Sequence, residues 1–298
     1  MPELPDITVY IEALDARLVG RKFHGLKLAS PFLLRTAKPP IGAIEGQRVR
    51  AASRIGKRIA IGFDNDHWMV LHLMIAGRLH WHISAPKLTP KGHFAIWEFE
   101  NGFLSLTEAG TAKRASLEIL GSTSDLRAVD PGGLDVLECG QAAFVNALKK
   151  HNHTLKRFLT NPRILSGIGN AYSDEILHRA RLSPVTLTQK LSNAEAVRLF
   201  DASRETLRTW IRILRDQAGA AFPEKVTAFR PEMAVHGKYG KPCPDCGTAV
   251  QRIRHATNET NYCPRCQTRG KLLADRSLSQ LLKKDWPSTI DEWEATQR

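Results

Sequence analysis

Cys243-Pro244-Asp245-Cys246 and Cys263-Pro264-Arg265-Cys266 form two C-x2-C hooks separated by sixteen residues. Each hook can present two thiolates, and four sulfurs at about 2.3 Å suit one tetrahedral Zn²⁺. With every position taken by sulfur, no coordination site is left for substrate, so the expected zinc is structural. It would stabilise a short hairpin that has little core of its own. Cys139 stands outside this pattern and reads as a small apolar residue. Between the hooks lie Gln251, Arg252, Ile253, Arg254, His255, Asn258 and Asn261, donors suited to a DNA groove or a phosphate row.

Upstream, residues 163–184 contain Ser166-Gly167-Ile168-Gly169-Asn170. The glycines permit a tight turn, and Asn170 would open a helix whose free N–H groups can hold phosphate. Ser192 with Glu195 forms a capping-box pattern. Val197, Phe200, Leu207, Trp210, Ile211 and Leu214 then carry helical periodicity towards Gly219. Asp130-Pro131-Gly132-Gly133 marks a boundary. Before it, apolar runs at 59–63 and 68–73 and a hairpin across Asn101-Gly102 predict a β-rich part. Residues 7–19 predict a helix ending at Gly20. Leu272, Leu273, Leu278, Leu281 and Leu282 predict a short amphipathic helix in the tail.

The 298-residue chain carries 43 Lys+Arg against 30 Asp+Glu, a formal charge of +13, with a pI near 9.8. This excess favours a polyanion, because basic groups on phosphates release condensed counterions. No apolar run reaches the roughly 18 residues needed to span a bilayer, and no secretory pattern opens the chain. A monomeric, soluble, cytoplasmic protein, nucleoid-associated if bacterial, is the expectation.

The chain starts Met1-Pro2-Glu3-Leu4-Pro5-Asp6. Removal of Met1 would expose a secondary amine beside a carboxylate. Such an amine attacks a sugar carbon to give a cationic iminium, splitting one hard step into two. With an ordinary pKa near ~8, it keeps a neutral fraction at physiological pH.

Taken in order, the Pro-Glu-Leu-Pro start, Lys57, the His72-Leu73 segment, Gly-Ile-Gly-Asn-Ala-Tyr and the four-cysteine ribbon resemble the formamidopyrimidine-DNA glycosylase/endonuclease VIII family. The likeness runs to about residue 270. It implies an α+β multidomain fold: an N-terminal β-sandwich with flanking helices, a helix-two-turn-helix domain, and a four-Cys zinc ribbon. The expected extents are 1–130, 131–225 and 236–270, with a tail over 271–298. It also implies an enzyme that flips and excises an oxidised base through a Schiff base and nicks the strand by β-elimination. The partner would be double-stranded DNA holding a damaged base or abasic site.

Carried over by motif, Pro2 resembles the nucleophile, Glu3 the proton donor and shuttle, and Lys57 the lysine that holds a phosphate and assists elimination. Lys156 and Asn170 resemble phosphate contacts; His93 and Lys150 fit DNA contacts more loosely. Met74 or Ile75 would be the apolar wedge that offsets unstacking of the flipped base.

The chain departs from the family in four places. Asn258 stands where the ribbon carries an arginine associated with δ-elimination, and a neutral amide cannot give a charge-assisted bidentate grip; Arg254 is the candidate substitute. Thr107–Ser116 replaces the segment Asp-Pro-Arg-x-Phe-Gly that senses the opposite base. Asp6 takes the place of a longer Glu. The stretch from Gly219 to Gly237 is short for a loop that caps 8-oxoguanine, which points towards oxidised pyrimidines, abasic sites or an unusual lesion. A non-catalytic damage binder of the same fold and an unrelated zinc-ribbon RNA binder are the competing readings.

Overall fold

Eight strands emerge from the apolar runs of the first 120 residues: β1 (Phe23–Leu28), β2 (Val49–Ile55), β3 (Arg58–Phe63), β4 (Trp68–His72), β5 (Gly77–His82), β6 (His93–Phe99), β7 (Gly102–Glu108) and β8 (Ser116–Leu120). In this computed structural model they pair antiparallel as two four-stranded sheets, β1-β6-β7-β5 and β2-β3-β4-β8. All residues are described except 110–112, 225, 228, 257, 276–280, 282–285 and 297–298. Phe23 joins the sheets: its ring lies 5.4 Å from Phe99 in its own sheet and 5.8 Å from Phe63 in the other. Such tilted pairs add roughly 0.5–1.5 kcal/mol beyond burial. The result is a β-sandwich with one shared core.

Helix α1 (Leu4–Leu18) covers that core with Ile7, Tyr10, Leu14 and Leu18, all fully buried. It begins three residues earlier than its apolar spacing predicts. Glu3 is its N-cap, and Pro5 occupies the first turn, where a missing N–H costs nothing. A short α2 (Thr123–Ala128) follows β8. The β6–β7 turn is also displaced from its sequence reading. Phe99 pairs with Gly102, so the turn residues are Glu100 and Asn101. Gly102 instead lets the strand approach Trp81, whose ring would lie 2.6 Å from an added Cβ.

After β4, the chain reverses through Leu73-Met74-Ile75-Ala76, closed by the Gly77 N–H donating to the Leu73 carbonyl at 2.9 Å. A Cβ on Gly77 would sit 2.3 Å from that oxygen. Gly77→Ala is therefore expected to cost about 1–3 kcal/mol, the range for overpacking against groups that cannot yield. A denaturant midpoint unchanged from the parent would contradict this.

The chain divides into two compact units, residues 1–132 with 209–227 and residues 133–208 with 228–298. The second contains α3 (Gln141–Lys150), α4 (Leu155–Thr160), α5 (Asn170–Arg179) and the start of α6 (Asn193–Ala218). Phe144, Phe158 and Phe200 centre its helical core, with ring centroids 5.3–5.4 Å apart. The capping box of α6 forms as its sequence predicts: the Ser192 N–H donates to Glu195 Oε2 at 2.9 Å, and the Glu195 N–H donates to Ser192 Oγ at 3.2 Å. The sequence reading kept residues 131–225 together, whereas 209–227 group with the first unit. Phe222 and Val226 account for this, since both are buried in the sandwich core.

The ribbon comprises β9 (Gln251–Arg254), β10 (Glu259–Tyr262) and α7 (Pro264–Thr268). Beyond it, Leu272 and Leu273 are buried, and the Leu273 N–H donates to Tyr262 Oη at 2.8 Å. Within the leucine pattern Leu281 is helical, and a further helix, α8 (Ile290–Thr296), follows. Leu278 and Leu282 lie outside the described residues.

Candidate catalytic and nucleic-acid-contacting residues

Pro2 is buried at the head of α1, and Glu3 and Asp6 are 3% and 2% exposed. The Glu3 N–H donates to Asp6 Oδ2 at 2.9 Å, while the Glu3 side chain caps the Asp6 N–H in return. The reciprocal cap explains why the shorter Asp serves at position 6. One carboxylate must fold back onto the helix start, and Asp reaches it.

Burial holds the Met1 ammonium below its usual pKa; Glu3 and Asp6 oppose the shift, while Arg78 and Lys57 reinforce it. Two carboxylates and two cations therefore surround the chain start. Lys57 lies in the two-residue β2–β3 turn, in which Ile55 pairs with Arg58 and Gly56 adopts φ +57°. His72, at the end of β4, is pushed down to about 4 by burial, with Arg58 and Lys57 adding. It is a neutral imidazole at physiological pH. Arg78, on β5, escaped the sequence reading, because nothing in the local pattern marks one strand arginine among many.

The loop after β4 separates the two wedge candidates. Met74 is half-buried with φ +51°, a region L-residues rarely occupy, whereas Ile75 is 61% exposed. His93 belongs to a histidine array: its Nδ1 lies 2.8 Å from Ser105 Oγ, which also meets His82 Nε2 at 2.9 Å. His80 bonds Thr107 at 2.8 Å and Glu224 at 2.7 Å. Partial burial lowers the pKa of both His82 and His93, and the neighbouring imidazoles add to it.

In the second unit, Lys156 Nζ donates to the Asn170 carbonyl at 2.8 Å and to Asp174 Oδ1 at 2.5 Å. Asp174, wholly buried, also takes His236 Nδ1 at 2.8 Å. Glu175 accepts the Ala234, Val235 and His236 N–H groups at 2.8–3.0 Å. Asn170 opens α5 as its sequence predicts, and its Nδ2 donates to the Glu259 carbonyl at 2.9 Å. Lys156 and Asn170 thus converge, with the lysine charge shared by a carboxylate. Lys150 ends α3, exposed and apart from this network. Arg254 and Asn258 are exposed at the tip of the β9–β10 hairpin. The Arg254 N–H donates to buried Asp275 at 3.0 Å, and the Asn258 carbonyl accepts the His255 N–H at 2.8 Å. Asp174, His236 and Asp275 gave no sequence signal.

The four ribbon sulfurs all lie within 4.8 Å of one another. Cys243 and Cys266 are 3.9 Å apart, Cys246 and Cys263 3.4 Å. Ligands at about 2.3 Å on a tetrahedron stand roughly 3.8 Å apart, so this donor set fits one structural Zn²⁺.

Three family models match in order: the formamidopyrimidine-DNA glycosylase N-terminal domain over 1–111, its H2TH domain over 134–220, and the zinc finger found in FPG and IleRS over 240–269. A formamidopyrimidine-DNA glycosylase from Heliobacterium modesticaldum is 31% identical over 281 residues, covering 90% of this chain and all of that protein. An uncharacterized formamidopyrimidine-DNA glycosylase-like protein from Mycobacterium tuberculosis is 39% identical over 165 residues, 55% of this chain and all of its own length. Among solved structures, Lactococcus lactis Fpg with abasic-site DNA superposes with TM-score 0.78 at 26% identity, covering 89% of this chain and 99% of that one. The same enzyme with an oxidised-pyrimidine DNA gives 0.78 at 25%, covering 90% and 100%. With three domain models matched in order and a relative 31% identical over all of its own length, the protein belongs to the formamidopyrimidine-DNA glycosylase family.

Proposed function

We propose the following chemistry for this DNA glycosylase and abasic-site lyase, acting on duplex DNA with a damaged base or abasic site. Once Met1 is removed, the Pro2 nitrogen attacks C1′ and the damaged base departs with the bonding pair of the glycosidic bond. A proton passed through Glu3 reaches O4′ as the sugar ring opens, leaving an iminium between Pro2 and C1′. Loss of a C2′ proton, assisted by Lys57, expels the 3′ phosphate by breaking the C3′–O3′ bond. Hydrolysis of the iminium then returns the amine. The observation that carries this reading is the siting of Glu3, Asp6, Lys57 and Arg78 around the chain start. Borohydride reduction on abasic-site DNA should trap a covalent adduct mapping to Pro2, provided intact mass shows Met1 absent. A processed chain that yields no adduct would instead be a damage binder.

The burial and cations that lower the Met1 ammonium lie one residue from the Pro2 nitrogen, and an amine exposed there is expected to keep its neutral form to lower pH. Its acidic limb in the rate profile should lie below the ordinary amine value near ~8. Lys57→Met removes one of the lowering charges and is expected to move that limb upward, in addition to slowing elimination. A limb that stays put or moves down in single-turnover kinetics would contradict the assignment.

DNA contacts fall to His93, Lys150, Lys156, Asn170, Arg254 and Asn258, with Ile75 as wedge and Met74 shaping its turn. Asn258 in place of arginine supports nicking that stops at β-elimination. Phe222 and Val226 are buried in the sandwich core, which takes these two side chains of the short 219–237 segment out of any cover over a flipped base. Excision of oxidised pyrimidines is therefore expected to exceed that of 8-oxoguanine by about tenfold or more, a difference of at least ~1.4 kcal/mol in transition-state stabilisation. Efficient single-turnover removal of 8-oxoguanine would defeat that preference.

A further inference from the structure

Helix α5 meets the thiolate cluster through a side chain that the four-cysteine pattern does not include. His178, near its C-terminal end, is 4% exposed, and its Nε2 lies 3.2 Å from Cys243 Sγ. Asp245 Oδ2 is farther, at 4.0 Å. The backbone around His178 is tied to the same module: Gln267 Nε2 donates to the Leu182 carbonyl at 3.0 Å, and Gln267 Oε1 accepts the Cys263 N–H at 2.8 Å. At the other end of α5, Asn170 donates to the Glu259 carbonyl. The ribbon is thus anchored at both ends of this helix, and the anchor near its C-terminal end touches a metal ligand.

Four thiolates around a divalent cation leave an excess of negative charge on sulfur, and Cys243 is itself buried, 2% exposed. A buried anion without donors is costly. An imidazole lone pair facing a thiolate would repel it, so the 3.2 Å contact requires Nε2 to carry the hydrogen. From this geometry we infer that His178 is a positioning residue for the zinc centre, donating Nε2–H to the Cys243 thiolate. The bond withdraws charge from sulfur, fixes the ligand's orientation and links the metal to the helix that begins at Asn170. Partners that orient metal ligands in this way are worth about 10–100-fold in metal affinity.

The test uses the full chain loaded with zinc. Zinc release to a colorimetric chelator at fixed pH should be about tenfold or more faster in His178→Phe than in the parent, with His178→Gln, which retains an N–H donor, in between. In the cobalt-substituted protein, loss of the N–H···S bond raises the energy of the sulfur lone pairs. The sulfur-to-cobalt charge-transfer band of His178→Phe should therefore move to longer wavelength while keeping a four-sulfur pattern. Asp245→Asn serves as the control and should leave both readouts unchanged. The inference is overturned if His178→Phe and the parent agree in release rate and spectrum. It is equally overturned if Asp245→Asn reproduces the His178→Phe effect, which would route the histidine through the carboxylate. A three-sulfur, one-nitrogen cobalt spectrum in the parent would make His178 a ligand instead. Should His178→Phe fail to fold, His178→Ala takes its place as the variant without a donor, and its agreement with the parent in both readouts would still overturn the inference. A parent chain that binds no zinc would remove the metal assignment itself.

Discussion

Glu3→Gln is expected to lower base excision by about 10²–10⁴-fold, the usual contribution of a positioned proton donor, and to leave nicking of a preformed abasic site far less affected. The asymmetry follows from which step needs the proton in the proposed scheme: there ring opening and base release draw on Glu3, whereas elimination from an existing aldehyde also uses Lys57. The substitution is informative because it should spare the fold. Glu3 caps the Asp6 N–H through a side-chain oxygen, and Gln offers an amide oxygen at the same reach. Its own N–H, bonded to Asp6 Oδ2, is untouched. Pro2→Gly complements it by exchanging a secondary for a primary amine. It should reduce both excision and trapping while DNA affinity stays within about twofold, well under 1 kcal/mol. If both variants match the parent in excision and in nicking, the amine mechanism is wrong. If DNA affinity falls with activity, the chain start is a binding element only.

Asp174→Ala is expected to destabilise the second unit by about 3–5 kcal/mol, the cost of stripping one partner from a buried ion pair. Asp174 is wholly buried and holds both Lys156 and His236. Its removal leaves the Lys156 ammonium, on a side chain only 15% exposed, without that carboxylate. Asp174→Asn keeps an acceptor but not the charge, and should lie between alanine and the parent. Native-state hydrogen exchange at the α5 amides and at residues 234–236 would resolve the effect locally, because Glu175 ties the two segments together. Protection within about 1 kcal/mol of the parent would mean that the pair is solvated in solution and contributes little, as exposed pairs do.

The contrast between these two sites shows what could be read in advance. Pro2 and Glu3 could be proposed from sequence because an amine nucleophile beside a carboxylate is a chemical statement made by two adjacent residues. The thiolate hooks, the Gly167-to-Asn170 helix start and the Ser192–Glu195 cap were legible for the same reason, since each is a local pattern with its own physics. Asp174, His178, His236, Asp275 and Arg78 were not. Their roles come from partners such as Asp174 with His236 and His178 with Cys243, 62 and 65 positions apart, and no local rule encodes such a meeting. Sequence also left Met74 and Ile75 equal. Only the turn closed on Leu73 by Gly77 separates them, turning Ile75 outward and placing Met74 at positive φ.

Composition and motif order by themselves determined the family, the zinc ligands and the polyanionic partner, because charge excess, thiolate spacing and the order of short motifs are properties of residue identity. Tertiary structure alone decided which carboxylates are bound to cations, that Phe222 and Val226 beyond α6 join the sandwich core, and that an imidazole supports a zinc thiolate. Those outcomes depend on burial, which raises the cost of every unpaired charge and is set only once distant segments pack.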